Sequence, residues 1–306
     1  MEQQEILMWL KGDILPVSQA SINVLSPTCQ FGANVFEGLR AYENDGQLYI
    51  FRLKDHINRL QDSIKLARFN YVKEDEFYTQ SILDVIKANE FKEDVAIRQT
   101  VFLDGFGSWM SEDTAEMFIA PIPKGRTYPT DFKGLNCTFS SWQRISELSL
   151  PPKIKLGANY MNSRLGQMEA KRNGYDICIF LNSAGKVSEG PGACIFMVRN
   201  GVLITPPVTA SILESITRET LITVARDFLG IEVLERDVDR TELYLADEVF
   251  FCGTAVELAK VKKIDGLEIN NKAHSTVFSR LESSYFDIVR GRVEQYSHWL
   301  TPVYEK

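Results

Sequence analysis

Two stretches of the sequence hold ionisable side chains in unusual surroundings. Lys155 lies between two large apolar residues in PPKIKLGANY, which predicts the middle of a short buried strand. Burial of an amine favours the uncharged form that attacks carbonyl groups, although lysines more often extend their ammonium to the surface. Glu189 precedes Gly-Pro-Gly at the end of an apolar arm, where a carboxylate needs a partner or must lie in an exposed turn. Both side chains are candidates for chemistry.

Three further stretches could bind an anion. Ser215, Ile216 and Thr217 open an amphipathic helix, whose free N–H groups and positive dipole end suit a phosphate, although a simple helix cap looks the same. Thr254 follows a glycine at the end of an apolar strand, where backbone and hydroxyl could hold an anionic oxygen or merely form a turn. Arg59, in DHINRLQDS, could bind phosphate or lie on a solvated helix face.

Taken together, these stretches describe one kind of site. It has a reactive lysine, a carboxylate, a tyrosine in KLGANY and several phosphate-binding devices. Pyridoxal phosphate needs that set, because its enzymes supply a lysine, an acid at the pyridinium nitrogen and an anchor for the phosphate.

Composition excludes several other classes of protein. The chain has 306 residues, 44% of them hydrophobic and 25% charged, which is typical of a soluble globular protein. A net charge of -7 argues against a nucleic-acid partner. No signal peptide and no apolar run of membrane-spanning length is visible, so we predict a cytoplasmic protein with no membrane partner. The five scattered cysteines and three histidines form no zinc motif, so no metal is predicted.

Hydrophobic periodicity predicts a mixed α and β chain in two domains. The first part contains a hairpin turning at Asp45-Gly46, helices over 53–69 and 75–88, and a strand over 94–105. APIPKGRTYPTDFKG has three prolines and little periodicity, which indicates an interdomain connection. We therefore predict a small N-terminal α/β domain over 1–122, a connection over 123–135 and a large C-terminal α/β domain over 136–306.

The predicted C-terminal domain alternates the same kinds of element. Its first helix carries Met161, Leu165 and Met168 on one face, and two hairpins follow, the second turning at Asn200-Gly201. The clearest helix lies in LESITRETLITVARDFLG, with Phe228 among its inward-facing residues. A buried strand in EVFFCGTAVELAKV then leads to the Gly-Thr-Ala stretch.

The order of these motifs resembles a known family. FGANVFEGLRAY, FRLKDHINRL, KIKLGANYMNS, GYDICIFLN, GKVSEGPG, GVLITPPVTASILESITRETL and YLADEVFFCGTAVEL resemble blocks of the fold-type IV pyridoxal-phosphate enzymes, and most closely the branched-chain amino acid aminotransferases. The resemblance runs from about residue 20 to about residue 266. It implies the two-domain α/β (mixed α+β) fold of the D-amino-acid aminotransferase type, with pyridoxal 5′-phosphate as cofactor.

The resemblance also implies roles for individual residues. Lys155 matches the lysine that binds the cofactor as a Schiff base and moves a proton at the substrate Cα. Glu189 matches the carboxylate at the pyridine nitrogen, and Tyr160 the tyrosine that hydrogen-bonds the phenolic oxygen. The matching phosphate anchors are Arg59, Ile216, Thr217 and Thr254, and the matching substrate-side residues are Phe36, Arg98, Thr254 and Ala255.

The activity implied is ping-pong transfer of the amino group of L-leucine, L-isoleucine or L-valine to 2-oxoglutarate. A homodimer, or a multiple of dimers, is implied as well. Phe31 and Ala96 stand where tyrosines are common on the family's substrate side, and Ala193-Cys194 stands where a Glu-Asn pair is common. Because the first two departures affect substrate identity, a D-amino-acid aminotransferase and an aminodeoxychorismate lyase of the same fold stay open.

Overall fold

The computed structural model describes residues 5–112, 114–269 and 275–304, so His274 lies outside the described residues. The strands are β1 (Leu7–Leu10), β2 (Asp13–Pro16), β3 (Asn34–Asn44), β4 (Gln47–Phe51), β5 (Val95–Leu103), β6 (Ala115–Pro123), β7 (Leu135–Phe139), β8 (Ile177–Ile179), β9 (Cys194–Arg199), β10 (Val202–Thr205), β11 (Val233–Glu235), β12 (Glu248–Gly253), β13 (Glu257–Ile264), β14 (Leu267–Glu268) and β15 (Leu300–Pro302). The α-helices are α1 (Pro27–Phe31), α2 (Leu53–Leu66), α3 (Asp75–Asn89), α4 (Tyr160–Arg172), α5 (Ile216–Thr223), α6 (Arg240–Tyr244) and α7 (Val277–Val289). Within the described ranges, no helix is long and apolar enough to cross a membrane.

The predicted mixed α and β fold is confirmed, and the chain forms two compact units. Unit 1 consists of Met1–Arg126, Ile154–Ala158 and Asp287–Lys306, and unit 2 of Thr127–Lys153 and Asn159–Phe286. The predicted division, with domains over 1–122 and 136–306, differs from these units in two segments. Residues 154–158 group with unit 1 although they lie between the two segments of unit 2 in the chain, and residues 287–306 do so although they follow unit 2.

Unit 1 is built on an antiparallel sheet. Among its described residues, the strand order is β15-β4-β3-β5-β6-β1-β2. The predicted hairpin joins β3 to β4, with Asn44 paired to Gln47 and positive φ angles of 51° at Asp45 and 80° at Gly46. Those angles are the ones a two-residue hairpin turn requires. The long pairing of β3 with β5, from Asn34–Phe102 to Ala41–Val95, forms the middle of this sheet.

Helix α2 of unit 1 buries both an apolar face and a polar face. Its apolar residues Leu53, Ile57, Leu60 and Ile64 are buried in the core of the unit, as their helical spacing predicts. A second set of buried positions on the same helix is polar and includes His56 and Ser63. The helix therefore contributes both core packing and a polar face.

The segment that carries Lys155 is not the buried strand that its apolar neighbours predicted. Ile154 is buried, but Lys155 is only half-buried, and one isolated bridge pairs Leu156 with Val35 of β3. A 3₁₀ turn over Gly157–Asn159 follows at once. A Cβ on Gly157 would overlap the side-chain amide of Asn34 in β3. The chain therefore passes so close to β3 that a residue with a side chain would not fit here, and the pairing with β3 ends.

Unit 2 is built on a mixed sheet. Among its described residues, the strand order is β11-β10-β9-β12-β13-β7-β8, with β14 paired to β13. The pairs β10–β11, β13–β7 and β7–β8 are parallel, and the other pairs in that order are antiparallel. The predicted turn at Asn200-Gly201 joins β9 to β10, with positive φ angles of 53° and 80°. The other predicted hairpin pairs its arms through a bridge between Leu181 and Val187, with the Asn182 N–H donating to the Lys186 carbonyl at 2.8 Å and the Ser188 N–H to the Phe180 carbonyl at 2.9 Å.

One helix of unit 2, α4, differs from its predicted orientation. In α4, the apolar side chains of Met161 and Leu165 are exposed, and the buried positions are Ser163, Gly166 and Ala170. Small residues face inward because α4 packs very closely on Phe180, whose ring a Cβ at Gly166 would overlap.

Helix α5 begins at Ile216 and continues as a π turn over Val224–Phe228. The N–H of Leu229 donates to the carbonyl of Val224, a spacing of five residues. This wider turn shifts the helical phase, so Phe228 is 43% exposed, although it was predicted to face inward.

We predict that Gly166→Ala lowers the free energy of unfolding. The added methyl group would overlap the fully buried ring of Phe180, and overpacking of this kind costs about 1–3 kcal/mol. Better helix propensity recovers at most about 1 kcal/mol. Gly125→Ala is the control, because its added Cβ meets no atom within 4 Å. Denaturant unfolding of both variants measures the difference, and equal stabilities would contradict the close packing.

Candidate active site

Lys155 is held in unit 1 by its main chain. Its N–H donates to the Ser63 hydroxyl of α2 at 3.1 Å, and its carbonyl accepts from the Phe36 N–H of β3 at 3.0 Å. Its Nζ lies 5.0 Å from the centroid of the Phe36 ring. The backbone from which the amine extends is thus fixed by both a strand and a helix.

Phe36 brings a second predicted residue into this cluster. The guanidinium carbon of Arg98 lies 3.4 Å from the centroid of the same ring, which is a close cation–π contact. Arg98 lies on β5 opposite Gly38 of β3, and Ala96, two residues earlier, lies opposite Arg40. Because side chains two residues apart share a face of the sheet, the departure at Ala96 is on the face that carries Arg98.

Arg59 is not on a solvated helix face. Its side chain is 13% exposed and forms two hydrogen bonds to the carboxylate of Glu37 in β3. Nε donates to Oε1 and Nη2 to Oε2, both at 2.7 Å, which is the bidentate geometry of a strong arginine–carboxylate pair. His56 Nδ1 also lies 2.7 Å from Oε2 of Glu37. Glu37 of β3 and His56 and Arg59 of α2 thus form one network, which we call the Glu37 cluster.

Burial and charge decide the protonation of the Glu37 cluster. Burial alone would raise the pKa of Glu37, but the Arg59 charge and hydrogen bonds from Arg59 and His56 hold that pKa well below its usual range. Burial lowers the pKa of His56, and the nearby charges of Arg59 and Lys155 act in the same direction, against the opposing effect of Glu37. Glu37 is therefore a carboxylate near neutral pH, and His56 is neutral and donates from Nδ1.

Glu189 of unit 2 has the partner that its position requires. Arg144 Nη2 lies 2.8 Å from Oε1 of Glu189, and both side chains are buried. The Cys194 thiol lies 3.9 Å from Oε2 of the same carboxylate and 3.8 Å from the carbonyl oxygen of Leu213. The Ala193-Cys194 departure from the family pattern therefore lies directly beside the predicted cofactor carboxylate.

The loop that carries Glu189 also approaches two other predicted residues. A Cβ on Gly192 would lie 3.7 Å from the ring of Tyr160, and a Cβ on Gly253 would lie 3.3 Å from the carbonyl oxygen of Gly192. Gly253 ends β12 and directly precedes Thr254. Unit 2 thus brings Tyr160, Glu189 and the start of the Thr254 turn to one loop.

The predicted phosphate-binding helix start is well formed. The Ser215 hydroxyl caps α5 by accepting from the N–H of Arg218 at 3.2 Å, and Ile216 and Thr217 are buried at its first turn. Arg218 is itself buried and donates to Thr205 at 3.3 Å and to the carbonyl oxygen of Pro206 at 2.9 Å. These contacts fix the first turn of the helix to the end of β10.

The Thr254-Ala255 turn is supported from one side by Thr127. The Thr127 hydroxyl donates to the carbonyl oxygen of Ala255 at 2.8 Å, and the Thr127 N–H donates to Oε2 of Glu257 at 2.8 Å. Glu257 is buried and has a positive φ of 57°. The turn is held in one shape, as binding through its backbone would require.

Of the remaining departures, Phe31 ends the short helix α1 with 47% of its surface exposed.

Sequence reasoning missed Glu37, His56, Ser63 and Arg144. Two signals were available, a carboxylate inside the apolar strand VFEGL and polar residues at positions 56, 59 and 63, which share one face of α2. No comparable signal marked Arg144.

The fold described above is shared with known structures. A branched-chain amino acid aminotransferase from Thermobaculum terrenum, solved in its PLP-bound holo form, superposes with a TM-score of 0.93 at 43% identity, over 98% of this chain and 99% of that one. The branched-chain aminotransferase of Thermoproteus uzoniensis with norvaline gives a TM-score of 0.92 at 40% identity, over 98% and 100%. This is the architecture of the fold-type IV aminotransferases.

Sequence comparison assigns the family. The family model for amino-transferase class IV matches residues 34–264. The branched-chain-amino-acid aminotransferase of Salmonella typhimurium is 36% identical over 301 residues, which cover 97% of each chain. The chain belongs to the class IV aminotransferase family, and the predicted resemblance is confirmed.

We predict that His56 makes stability fall as the pH is lowered. The unfolded chain takes up a proton near the ordinary histidine pKa of 6.5, whereas the folded chain does so only at lower pH, so the unfolding free energy decreases below about 6.5. Glu37 acts in the same direction below its ordinary pKa of 4.5, because its folded pKa is also lowered. His56→Asn keeps a donor nitrogen but does not titrate, so this variant should lose less stability between about pH 7 and pH 5.

Denaturant unfolding at a series of pH values measures this difference. Equal slopes for wild type and His56→Asn would contradict a buried neutral histidine.

Proposed function

We propose that this protein is a pyridoxal-phosphate-dependent transaminase that moves the amino group of L-branched-chain amino acids to 2-oxoglutarate. The observation that carries the proposal is the fixed main chain of Lys155, whose amine lies beside Phe36 in unit 1. Membership of the class IV family and relatives that are branched-chain aminotransferases support the same activity.

The donor set of the described residues fits this cofactor. A phosphate needs N–H, hydroxyl and guanidinium donors, and a pyridine nitrogen needs a carboxylate. The chain offers the capped start of α5, the Thr254 hydroxyl, the Arg59 guanidinium and the buried Glu189 carboxylate. When bound, pyridoxal phosphate supplies an electron sink that stabilises negative charge at the substrate Cα.

Each residue has a defined task in this proposal. Lys155 binds the cofactor and moves the proton at the substrate Cα, as general base and then general acid. Glu189 holds the proton of the ring nitrogen, and Tyr160 hydrogen-bonds the phenolic oxygen. Arg59, Ile216, Thr217 and Thr254 hold the phosphate, whereas Phe36, Arg98, Thr254 and Ala255 contact the substrate.

The reaction is a ping-pong exchange in two halves. The donor amino acid leaves as its 2-oxo acid before 2-oxoglutarate enters and leaves as glutamate. We place the enzyme in the cytoplasm as a homodimer or multiple of dimers, as the family resemblance implies. The exposed side chains of Phe106, Trp109 and Met110, between β5 and β6, are apolar surface of the kind that a second copy covers.

We predict that L-leucine, L-isoleucine and L-valine convert the protein-bound cofactor to its aminated form. The visible absorption band of the purified protein should disappear on adding any one of them and return on adding 2-oxoglutarate. Initial rates at several fixed acceptor concentrations should give the parallel double-reciprocal lines of a ping-pong reaction.

The controls identify the competing activities. A band that responds to D-amino acids alone would favour a D-amino-acid aminotransferase, and pyruvate release from aminodeoxychorismate without an acceptor would favour the lyase. A protein that stays colourless after incubation with pyridoxal phosphate would contradict the cofactor itself.

We predict that Lys155→Ala lowers kcat/KM for transamination by roughly 10²–10⁴-fold or more, since the proton at Cα then lacks its acid–base group. Lys153→Ala is the matched control. Lys153 lies two residues away, its side chain is 46% exposed, and its ammonium pairs with Glu214 at 3.4 Å. Its variant should keep the wild-type rate. Transamination that survives in Lys155→Ala would disprove the assignment of the lysine.

A further inference from the structure

One buried carboxylate of unit 1 has no task in the proposed chemistry. Glu37 is 0% exposed in β3, and it directly follows the substrate-side Phe36. A charged carboxylate buried in this way is strongly unfavourable unless it is paired and fully hydrogen-bonded. Its partners therefore indicate what the charge is for.

The partners of Glu37 converge on one guanidinium. Both carboxylate oxygens accept from Arg59, and His56 adds a third hydrogen bond at Oε2. Two of the five N–H groups of the guanidinium are bound to Glu37, which fixes the plane and the direction of the fork. Neutral His56 contributes a donor without a further charge, so the Glu37 cluster holds one positive and one negative group.

A comparison within the same unit separates this network from an ordinary ion pair. Arg290 also binds a carboxylate in bidentate fashion, with Nη1 3.0 Å from Oδ1 and Nη2 2.7 Å from Oδ2 of Asp94. Nη1 of Arg290 then bonds the backbone carbonyl of Glu43, so that pair joins one segment of the chain to another. No residue assigned to the proposed site takes part in it.

The Glu37 cluster, in contrast, is surrounded by proposed site residues. Glu37 follows Phe36, which contacts Lys155, and the helix face of His56 and Arg59 continues to Ser63, which binds the Lys155 main chain. The charge of Lys155 also acts on His56. The network thus connects the proposed phosphate anchor to the segment that carries the proposed catalytic lysine.

We propose that Glu37 is a positioning residue, which with His56 holds the Arg59 guanidinium in the orientation that binds the cofactor phosphate. This inference rests on the proposed function, because the phosphate is that of pyridoxal phosphate and its aminated form. A flexible arginine would have to be ordered on each binding event, whereas the carboxylate orders it beforehand.

Positioning and charge have opposite consequences, and this makes the proposal testable. Glu37→Gln removes the second acceptor of the fork, so a positioning role predicts weaker binding of phosphate. It also removes a negative charge next to the phosphate anchor, so a carboxylate that acted only as a counter-charge would predict tighter binding. Glu37→Asp keeps the charge but shortens the side chain, and only the positioning role predicts a loss for that variant.

The experiment uses the full-length chain, freed of cofactor, and two ligands that differ only in phosphate. Dissociation constants of pyridoxamine 5′-phosphate and pyridoxamine are measured by calorimetry, because neither ligand needs to react with Lys155. The ratio of the two constants isolates the contribution of the phosphate from the rest of the ring. Asp94→Asn is the matched control, since it also breaks a bidentate pair of unit 1.

We expect Glu37→Gln and Glu37→Asp to reduce the preference for the phosphorylated ligand by about tenfold or more, as loss of a charge-assisted hydrogen bond does. Asp94→Asn should keep the wild-type preference even where its thermal stability falls. Glu37→Asp supplies the answer if Glu37→Gln does not fold.

An unchanged or increased preference in the folded Glu37 variants would overturn the proposal and leave Glu37 a structural or counter-charge residue. A wild-type chain that binds neither ligand would instead contradict the proposed function. A wild-type chain that prefers pyridoxamine 5′-phosphate, with Glu37 variants that do the same, would contradict only the positioning role.

Discussion

The position of Lys155 depends on main-chain contacts rather than on the chemistry of its side chain. Strand β3 and helix α2 each bond one side of its peptide backbone, and Gly157 allows the chain to pass against Asn34 where any Cβ would overlap. A reactive group is useful only when it starts from a defined place, because misplacement by about 1 Å can cost 10²-fold in rate. The middle of unit 1 provides that place.

Both units solve the problem of a buried carboxylate in the same way. Glu37 is paired with Arg59 in unit 1, and Glu189 with Arg144 in unit 2, with nitrogen–oxygen distances of 2.7 and 2.8 Å. Arginine suits this task because its planar fork stays charged and matches a carboxylate. For Glu37 the consequence is a pKa well below its usual range, so this carboxylate keeps its charge in a buried setting.

The family assignment and the substrate preference rest on different residues. Family membership follows from matches along residues 34–264. The departures from the family pattern concern the surroundings of individual site residues. Ala96 shares the sheet face of Arg98. Cys194 places a thiol near Glu189, where an amide is common in the family. Ala96 leaves only a methyl group beside Arg98 on this face, while the guanidinium of Arg98 contacts the ring of Phe36.

By itself the sequence determined the elements and the kind of site. Hydrophobic patterns that repeat every 3.6 or 2 residues predicted the helices and strands, and Asp45-Gly46 and Asn200-Gly201 predicted two turns. These signals depend only on neighbours in the chain. The two units, the inward face of α4 and the partners of Glu37 and Glu189 were decided by tertiary structure. Arg144 lies 45 residues from Glu189 and Glu37 lies 22 from Arg59, and no local pattern relates such pairs. Only folding brings them within hydrogen-bond distance. Each buried charge is then stabilised by a partner that lies far away in the sequence.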